Sequence, residues 1–555
     1  MKKLSLMVFL SLLFIPAFST GRDFYEEQLD KGLRNSESYS YFLIEKSKAD
    51  PAEAEKTLED ALRYSPELPA VYFALSKASF SFSTGKMYKA YGYMLKGIEA
   101  YERNFWWSFT LVGSLFMGFI ISFVVSMIII ITVRLTGDLP LLVHDMIEQK
   151  NRILLLLMLI SALTGPLLLI GGILIMLGLY LKRIDRAIVY LYLLFLLISP
   201  WIFKASSMVF SIPSSDVLKA VIEVNESRDN RYALSILKDS EDDVALYSYA
   251  LALKREGRYD EAIQIYNKLI ERKPDPVIYN NLANCYVAKN DMEKAEQLYG
   301  RSIQIRPLVS ACYNMSQVLR RTLDLVKGEE YFLFAQGMDS DSVSRYQAIF
   351  STSPNRLVID EVLPISALWK YSRESTTKVS TFGLSTVPPV FLPFIAFFFG
   401  TLFYILSKRI KPRAYRCKKC GTILCKKCER RVLWGNMCLR CYRSLIKLHE
   451  LDAKERIARL QAVYEYQMRR RRIMNVLSFI LPGSAQIYAG DVLKGLLFLW
   501  PFLFLLFTFV ISSIFVIGMP PFSHVWLNGS SLFLMAIVYF VSHIVNRMRL
   551  TKRWL

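Results

Sequence analysis

Residues 249–307 read YALALKREGRYDEAIQIYNKLIERKPDPVIYNNLANCYVAKNDMEKAEQLYGRSIQIRP, and this stretch decides the fold. Ala250, Gly257, Ala262, Tyr266 and Pro274 are followed about 33 residues later by Ala283, Ala295, Tyr299 and Pro307, and then more loosely by Ser316, Gly328 and Phe332. Small side chains at such a period let paired helices approach closely, and the proline ends the second helix of each pair. The expectation is a mainly α protein in which residues 214–345 form stacked helix pairs that bury a continuous core and leave a concave groove.

The pattern resembles the tetratricopeptide repeat family over roughly three units. In that family the groove usually receives a peptide or a partner protein. Asn281 and Asn314 fall at one position of successive first helices, with Asn280 and Asn284 beside them. The resemblance implies that such asparagines hydrogen-bond a bound backbone, although asparagine there also serves packing and solubility. Tyr247, Lys254 and Arg255 are candidates for the same surface. Cys285 and Cys312 lie in neighbouring first helices and read as buried thiols. Upstream, Ala54, Leu58, Ala61 and Pro66, then Tyr72 and Leu75, repeat the offsets within residues 23–103. A second, shorter array of about one and a half repeats is expected there, with Ala90 and Met94 fitting only after an insertion.

A chain of 555 residues with 53% hydrophobic content exceeds one domain and is too apolar to be wholly soluble. The opening MKKLSLMVFLSLLFIPAFST reads as a signal peptide over 1–19, cut after Ser19; the alternative is an uncleaved anchor. Phe105-Trp106-Trp107 begins an apolar run to about Val133. A second run, Ile153 to Leu181, is broken by Gly165-Pro166 and Gly171-Gly172, and a third, Ile188 to Phe203, is short and ends at Pro200. Region 104–203 therefore accommodates two crossings or three. Further spans are expected at 388–407, from about Leu493 to Gly518, and from about Ser531 to Val545, the last two forming a hairpin module over 473–547.

The net charge is +21, and Lys408 to Arg472 alone carries 21 Lys+Arg against 5 Asp+Glu. By the positive-inside rule this segment and the basic C-terminus are cytoplasmic. One crossing at 388–407 then puts the second array outside, with an even number of crossings between the arrays; the alternative, three crossings in 104–203, makes the second array cytoplasmic and puts the finger outside, against its charge. The expected location is a bacterial inner membrane, multi-pass, with the first array extracytoplasmic. Residues 444–472 read as a basic juxtamembrane helix whose Arg469, Arg470, Arg471 and Arg472 meet lipid phosphates. Nucleic-acid binding would require stacking aromatics or groove-entering elements that this patch lacks.

Residues 416–442, RCKKCGTILCKKCERRVLWGNMCLRCY, place Cys417, Cys420, Cys425, Cys428, Cys438 and Cys441 in three C-x-x-C pairs. Two thiolates from each such knuckle can reach one tetrahedral zinc, so 408–443 reads as a small zinc finger. The segment resembles the last three cysteine pairs of FYVE-type and related double-zinc fingers. That resemblance implies interleaved ligands, with Cys417, Cys420, Cys438 and Cys441 on one zinc and Cys425 and Cys428 holding half of a second site. The family's first cysteine pair and its basic lipid-reading motif are missing, so phosphoinositide recognition does not carry over.

The stretch LPGSAQIYAGDVLKG, 481–495, resembles the P-G-x-x-Q-x-Y-x-G…K-G signature of small bacterial two-helix membrane domains, and an architectural turn is the preferred reading. Protease, hydrolase and phosphate-loop signatures are missing, and the four histidines are scattered. The expectation is a non-enzymatic membrane scaffold or adaptor that binds protein partners through its repeats; the alternative is a transmembrane sensor or transport-associated component, and a third reading, a membrane enzyme, would need an active site among the spans near Gln486 and Tyr488.

Overall fold

In a computed structural model the described residues are 24–149, 159, 161–349, 353–375, 387–409, 414–425, 437–446, 452–514 and 525–552. The signal peptide expected at 1–19 lies outside them. The chain forms two compact units, one of residues 1–108 and 212–376 and one of 109–211 and 377–555.

The first unit is built from helix pairs. Residues 24–100 contribute Glu37–Ala49 with Ala54–Tyr64 and Pro69–Ser79 with Thr84–Ala100, two pairs where one and a half repeats were expected. The second array contains Asp216–Asn225 with Arg231–Leu237, Asp243–Arg255 with Tyr259–Arg272, Pro276–Ala288 with Met292–Ile305, and Val309–Arg321 with Leu325–Met338. The small residues predicted at the crossings are there: Ala250, Ala262, Ala283 and Ala295 are fully buried, with Tyr266 and Tyr299 packed beside them.

The backbone repeats as strictly as the side chains. Gly257, Asn290 and Leu323 all have positive φ, at 81°, 62° and 66°. Each follows the end of a first helix, and the next residue's amide reaches back to close the turn: Arg258 to Leu253, Asp291 to Tyr286 and Asp324 to Leu319, all at 2.9 Å. This is a Schellman closure, which glycine makes at little cost and a leucine makes under strain. Asp242 and Asp275 cap first helices; Asp291 and Asp324 cap second helices. Each carboxylate satisfies amides that the helix start leaves unpaired.

The two arrays of this unit are bonded to one another. The amides of Arg34 and Asn35 donate to the Ser227 carbonyl at 3.0 and 3.2 Å, and Asn355 Nδ2 donates to the Asp30 carbonyl at 2.8 Å. Arg228 bridges Glu37 at 2.9 Å and Glu226 at 2.8 Å, while Glu226 also accepts from the amide of Phe105. Burial pushes the Glu226 carboxyl up to about 7 against the pull of Arg228, and raises Glu37 as well.

The second unit holds most of the apolar helix length. Among the described residues five helices are long and apolar enough to cross a membrane: Phe105–His144, Ala187–Ser214, Pro389–Arg409, Val492–Ile514 and Asn528–Met548. The broken second run leaves only a short apolar helix among the described residues, Pro166–Gly178, which begins after Gly165. The third run does not end at Pro200; its helix continues to Ser211, because residues 187–211 offer apolar length on either side of the kink-prone residue.

Gly483 has φ +83, and a Cβ on it would come within 2.1 Å of the Gly495 carbonyl oxygen; a Cβ on Gly495 would stand 2.6 Å from that of Gly483. These glycines of the P-G…K-G signature thus permit a direct backbone approach between the turn and the next span. Asp185 accepts from the Leu493 amide at 2.8 Å, Lys182 pairs with Asp491, and Arg134 donates to the Ile487 carbonyl at 3.3 Å. The K-R-I-D loop therefore meets the same turn.

Candidate functional site

The inner face of the second array is lined by the expected residues and is filled by the chain itself. After the short helix Pro354–Leu357 the backbone runs extended through Val358, Ile359, Asp360 and Glu361 to Pro364, where Ile365–Glu374 begins. Leu357, Val358 and Ile359 are buried.

Asparagines bind this strap through its main chain. Asn314 Oδ1 accepts from the Ile359 amide at 2.7 Å and its Nδ2 donates to the Ile359 carbonyl at 2.9 Å. Asn280 and Asn284 donate to the same carbonyl at 3.2 and 3.0 Å. One repeat earlier, Asn281 accepts from the Glu361 amide and donates to its carbonyl, both at 2.8 Å. Tyr247 donates to that carbonyl at 2.5 Å. At the far end Asn225, which the repeat register did not single out, accepts from the Leu363 amide at 2.8 Å. The main chain of every second strap residue, Ile359, Glu361 and Leu363, is thus held by the array, with Pro276–Ala288 bonding the first two.

Ion pairs also tie the strap to the array. Lys254 Nζ stands 2.9 Å from Asp360 Oδ1, Arg255 Nε 3.8 Å from Oδ2, and Asn284 donates to Oδ1 at 2.8 Å. Lys254 is 1% exposed and Arg255 3%. Burial alone would raise Asp360, but these two cations and the hydrogen bonds hold its carboxyl below the usual range. Ser310 Oγ donates to Glu361. Burial beside these two acids keeps Tyr247 a neutral phenol. Cys285 and Cys312 are buried free thiols, burial pushing Cys285 up to about 12.

In the other unit, strands Ala414–Arg416 and Ile423–Cys425 pair antiparallel, with Tyr415 opposite Leu424. Between them Cys417 and Cys420 form a knuckle that turns at Gly421, whose φ is +77. Cys438 caps the helix Leu439–Leu445, which carries Cys441. The sulfurs of Cys417, Cys420, Cys438 and Cys441 all lie within 4.8 Å of one another, and those of Cys420 and Cys438 are 3.7 Å apart. Zinc–sulfur bonds of ~2.3 Å at tetrahedral angles require sulfurs about 3.8 Å apart, so the four thiols fit a metal ion such as zinc. Cys425 is buried at the end of the second strand and is not one of the four; Cys428 lies outside the described residues.

The knuckle rests on the long helix Ala453–Ile480. Gln467 Nε2 donates to the carbonyls of Lys418 and Lys419 at 2.9 and 2.8 Å. A Cβ on Gly421 would run into the Tyr466 ring at 2.3 Å, so only glycine lets the turn lie this close. Arg469, Arg470, Arg471 and Arg472 occupy the next turn, and the helix passes the expected boundary at 472 unbroken to Ile480, shortly before Pro482-Gly483.

A family model described as tetratricopeptide repeat matches residues 253–311. The chain is also similar, at 30% identity over 151 residues, to the mitochondrial import receptor subunit TOM70 of Saccharomyces cerevisiae, in strain YJM789 and in strain ATCC 204508 / S288c. That match covers 25% of this chain, and the chain spans only 23% of the length of either relative. The protein contains tetratricopeptide repeats and is distantly similar to TOM70 over a quarter of its length, alongside long apolar helices and a four-cysteine cluster.

Proposed function

We propose that this protein is a non-enzymatic membrane scaffold whose fused repeat arrays hold protein partners on the extracytoplasmic side of a bacterial inner membrane, with a zinc-stabilised finger docking on the cytoplasmic side. One observation carries the reading most: arrays separated in sequence by a membrane region fold into one compact unit. A single folded body cannot have its halves on opposite faces of a bilayer, so the two spans Phe105–His144 and Ala187–Ser214 supply the even crossing count. The contacts of Lys182 and Asp185 with the turn at Asp491 support the same side for the K-R-I-D loop, that turn and the basic segment. Bound zinc would join the two knuckles of a segment too small to have its own core.

The similarity to a subunit named as an import receptor favours a second reading, a transport-associated component that recognises proteins in passage. Topology reporters after Asp339 and Glu450 and photo-crosslinkers at the exposed Tyr88 and Phe82 test both. Extracytoplasmic signal at 339, cytoplasmic signal at 450 and a small set of stable adducts support the scaffold; many transient adducts support transport. Cytoplasmic signal at 339, or no adducts at all, overturns the proposal.

A further inference from the structure

Lys254 and Arg255 are buried together on the inner face of the second array, and Asp360 of the strap is the carboxylate that pairs with both. Two cations held out of water without a partner are costly, several kcal/mol each by general experience, so this face is not stable empty. The rest of the recognition is generic. Asn281 and Asn314 each read an amide and a carbonyl of the main chain, contacts that any extended segment would offer. Sequence enters through the aliphatic Leu357, Val358 and Ile359, which are buried, and through Asp360 and Glu361, which meet Lys254 and Ser310.

We propose that this face is a receptor for an extended protein segment with two or three aliphatic residues followed by Asp-Glu, that residues 357–363 occupy it in cis, and that a partner carrying this pattern binds by taking the strap's place. The proposal rests on the reading of the array as protein-binding, and names the chemistry of what it binds. A tethered occupant acts at an effective concentration of roughly millimolar, so partner affinity is lowered by the fraction of time the strap is away.

The test uses the full chain in detergent micelles and a fluorescent peptide of residues 355–364, NRLVIDEVLP, with a control in which Lys-Lys replaces Asp-Glu. In wild type, a millimolar excess of the peptide should speed hydrogen exchange at the amides of Ile359 and Glu361, and the control should not. In the double variant Asp360→Asn, Glu361→Gln the strap is weakened, and the labelled peptide should bind about tenfold more tightly than to wild type. Adding Asn281→Ala should abolish that gain. Unchanged exchange in wild type, with no peptide binding by a double variant that keeps its helical melt, overturns the proposal and makes the strap a permanent part of the fold. If the double variant fails to fold, exchange in wild type decides alone. The photo-crosslinking result is independent: loss of all cellular adducts with peptide exchange intact would sink the scaffold reading and leave the receptor standing.

Discussion

Asn281 and Glu361 form a closed two-bond pair: the asparagine amide accepts from the glutamate's N–H and donates to its C=O, each at 2.8 Å. They are 80 residues apart, and Asn281 is also a donor to Tyr247 at 2.8 Å. Replacing Asn281 by Ala leaves a buried amide, carbonyl and phenol short of partners. The expected loss is about 1–3 kcal/mol of stability of the array, read as a lower midpoint in thermal or denaturant unfolding. Asn281→Asp should cost at least as much, since a carboxylate cannot donate to the Glu361 carbonyl.

Asp360 supplies a pH dependence whose sign follows from its lowered pKa. In the unfolded chain it ionises near 3.8, and in the folded array below that. Its contribution is therefore complete above the unfolded value and disappears as pH falls through the folded one. Asp360→Asn should destabilise the array by about 3–5 kcal/mol near neutral pH, the usual cost of breaking one side of a buried pair. The gap between variant and wild type should narrow below about pH 4.

Glu226 has the opposite sign. It ionises near 4.5 when unfolded and at about 7 when folded, so between these values the folded state holds the extra proton and stability declines as pH rises. The array should melt at its highest temperature near the lower end of that window. Glu226→Gln keeps an acceptor for the Phe105 amide, and should flatten the curve, with a gain on the order of 1–2 kcal/mol at pH 8.

Leu323 occupies the position that glycine holds in the first repeat, and its side chain is 82% exposed. Leu323→Gly removes left-handed strain of roughly 1–2 kcal/mol and gives back part of it as chain entropy. A net stabilisation of about 0.5–1 kcal/mol is expected, whereas Gly257→Leu should destabilise; paired unfolding curves measure both.

The finger is expected to bind one zinc per chain, counted by native mass spectrometry. Cys417→Ser or Cys438→Ser should abolish that stoichiometry, and Cys425→Ser should not. Chelation should expose the Lys418 and Lys419 carbonyls held by Gln467, seen as faster proteolysis at the knuckle while the Ala453–Ile480 helix persists.

The features legible in the amino-acid sequence are those that repeat or are spaced by chemistry. The period of 33 locates Ala262, Ala295 and their tyrosines because each repeat must solve the same packing problem. The C-x-x-C spacing marks all three cysteine pairs as metal knuckles, because two thiolates at that spacing can reach one tetrahedral ion; which two pairs share a site is implied by the resemblance to double-zinc fingers and not by the spacing, and the cluster of Cys417, Cys420, Cys438 and Cys441 agrees with it. The strap is hidden: Val358 to Leu363 has no helical period and its contacts lie 45 to 138 residues away. Asn225 escapes because it belongs to a short helix pair offset from the regular register. Lys254 and Arg255, which follow ten uncharged residues Val244 to Leu253 on a helix, are the available hint, since charges placed in a core imply an unseen counter-ion.

The interleaving of the two units sets an order on biogenesis. Residues 24–108 leave the ribosome well before Ser227, Arg228 and Asn355, which complete their bonding. Until the intervening helices and the later repeats have been made, the early helices stay incomplete, with Glu37 lacking its arginine. The unit closes only when its last segment has been made, so its resistance to proteolysis becomes a record that everything between its halves has been synthesised and put in place.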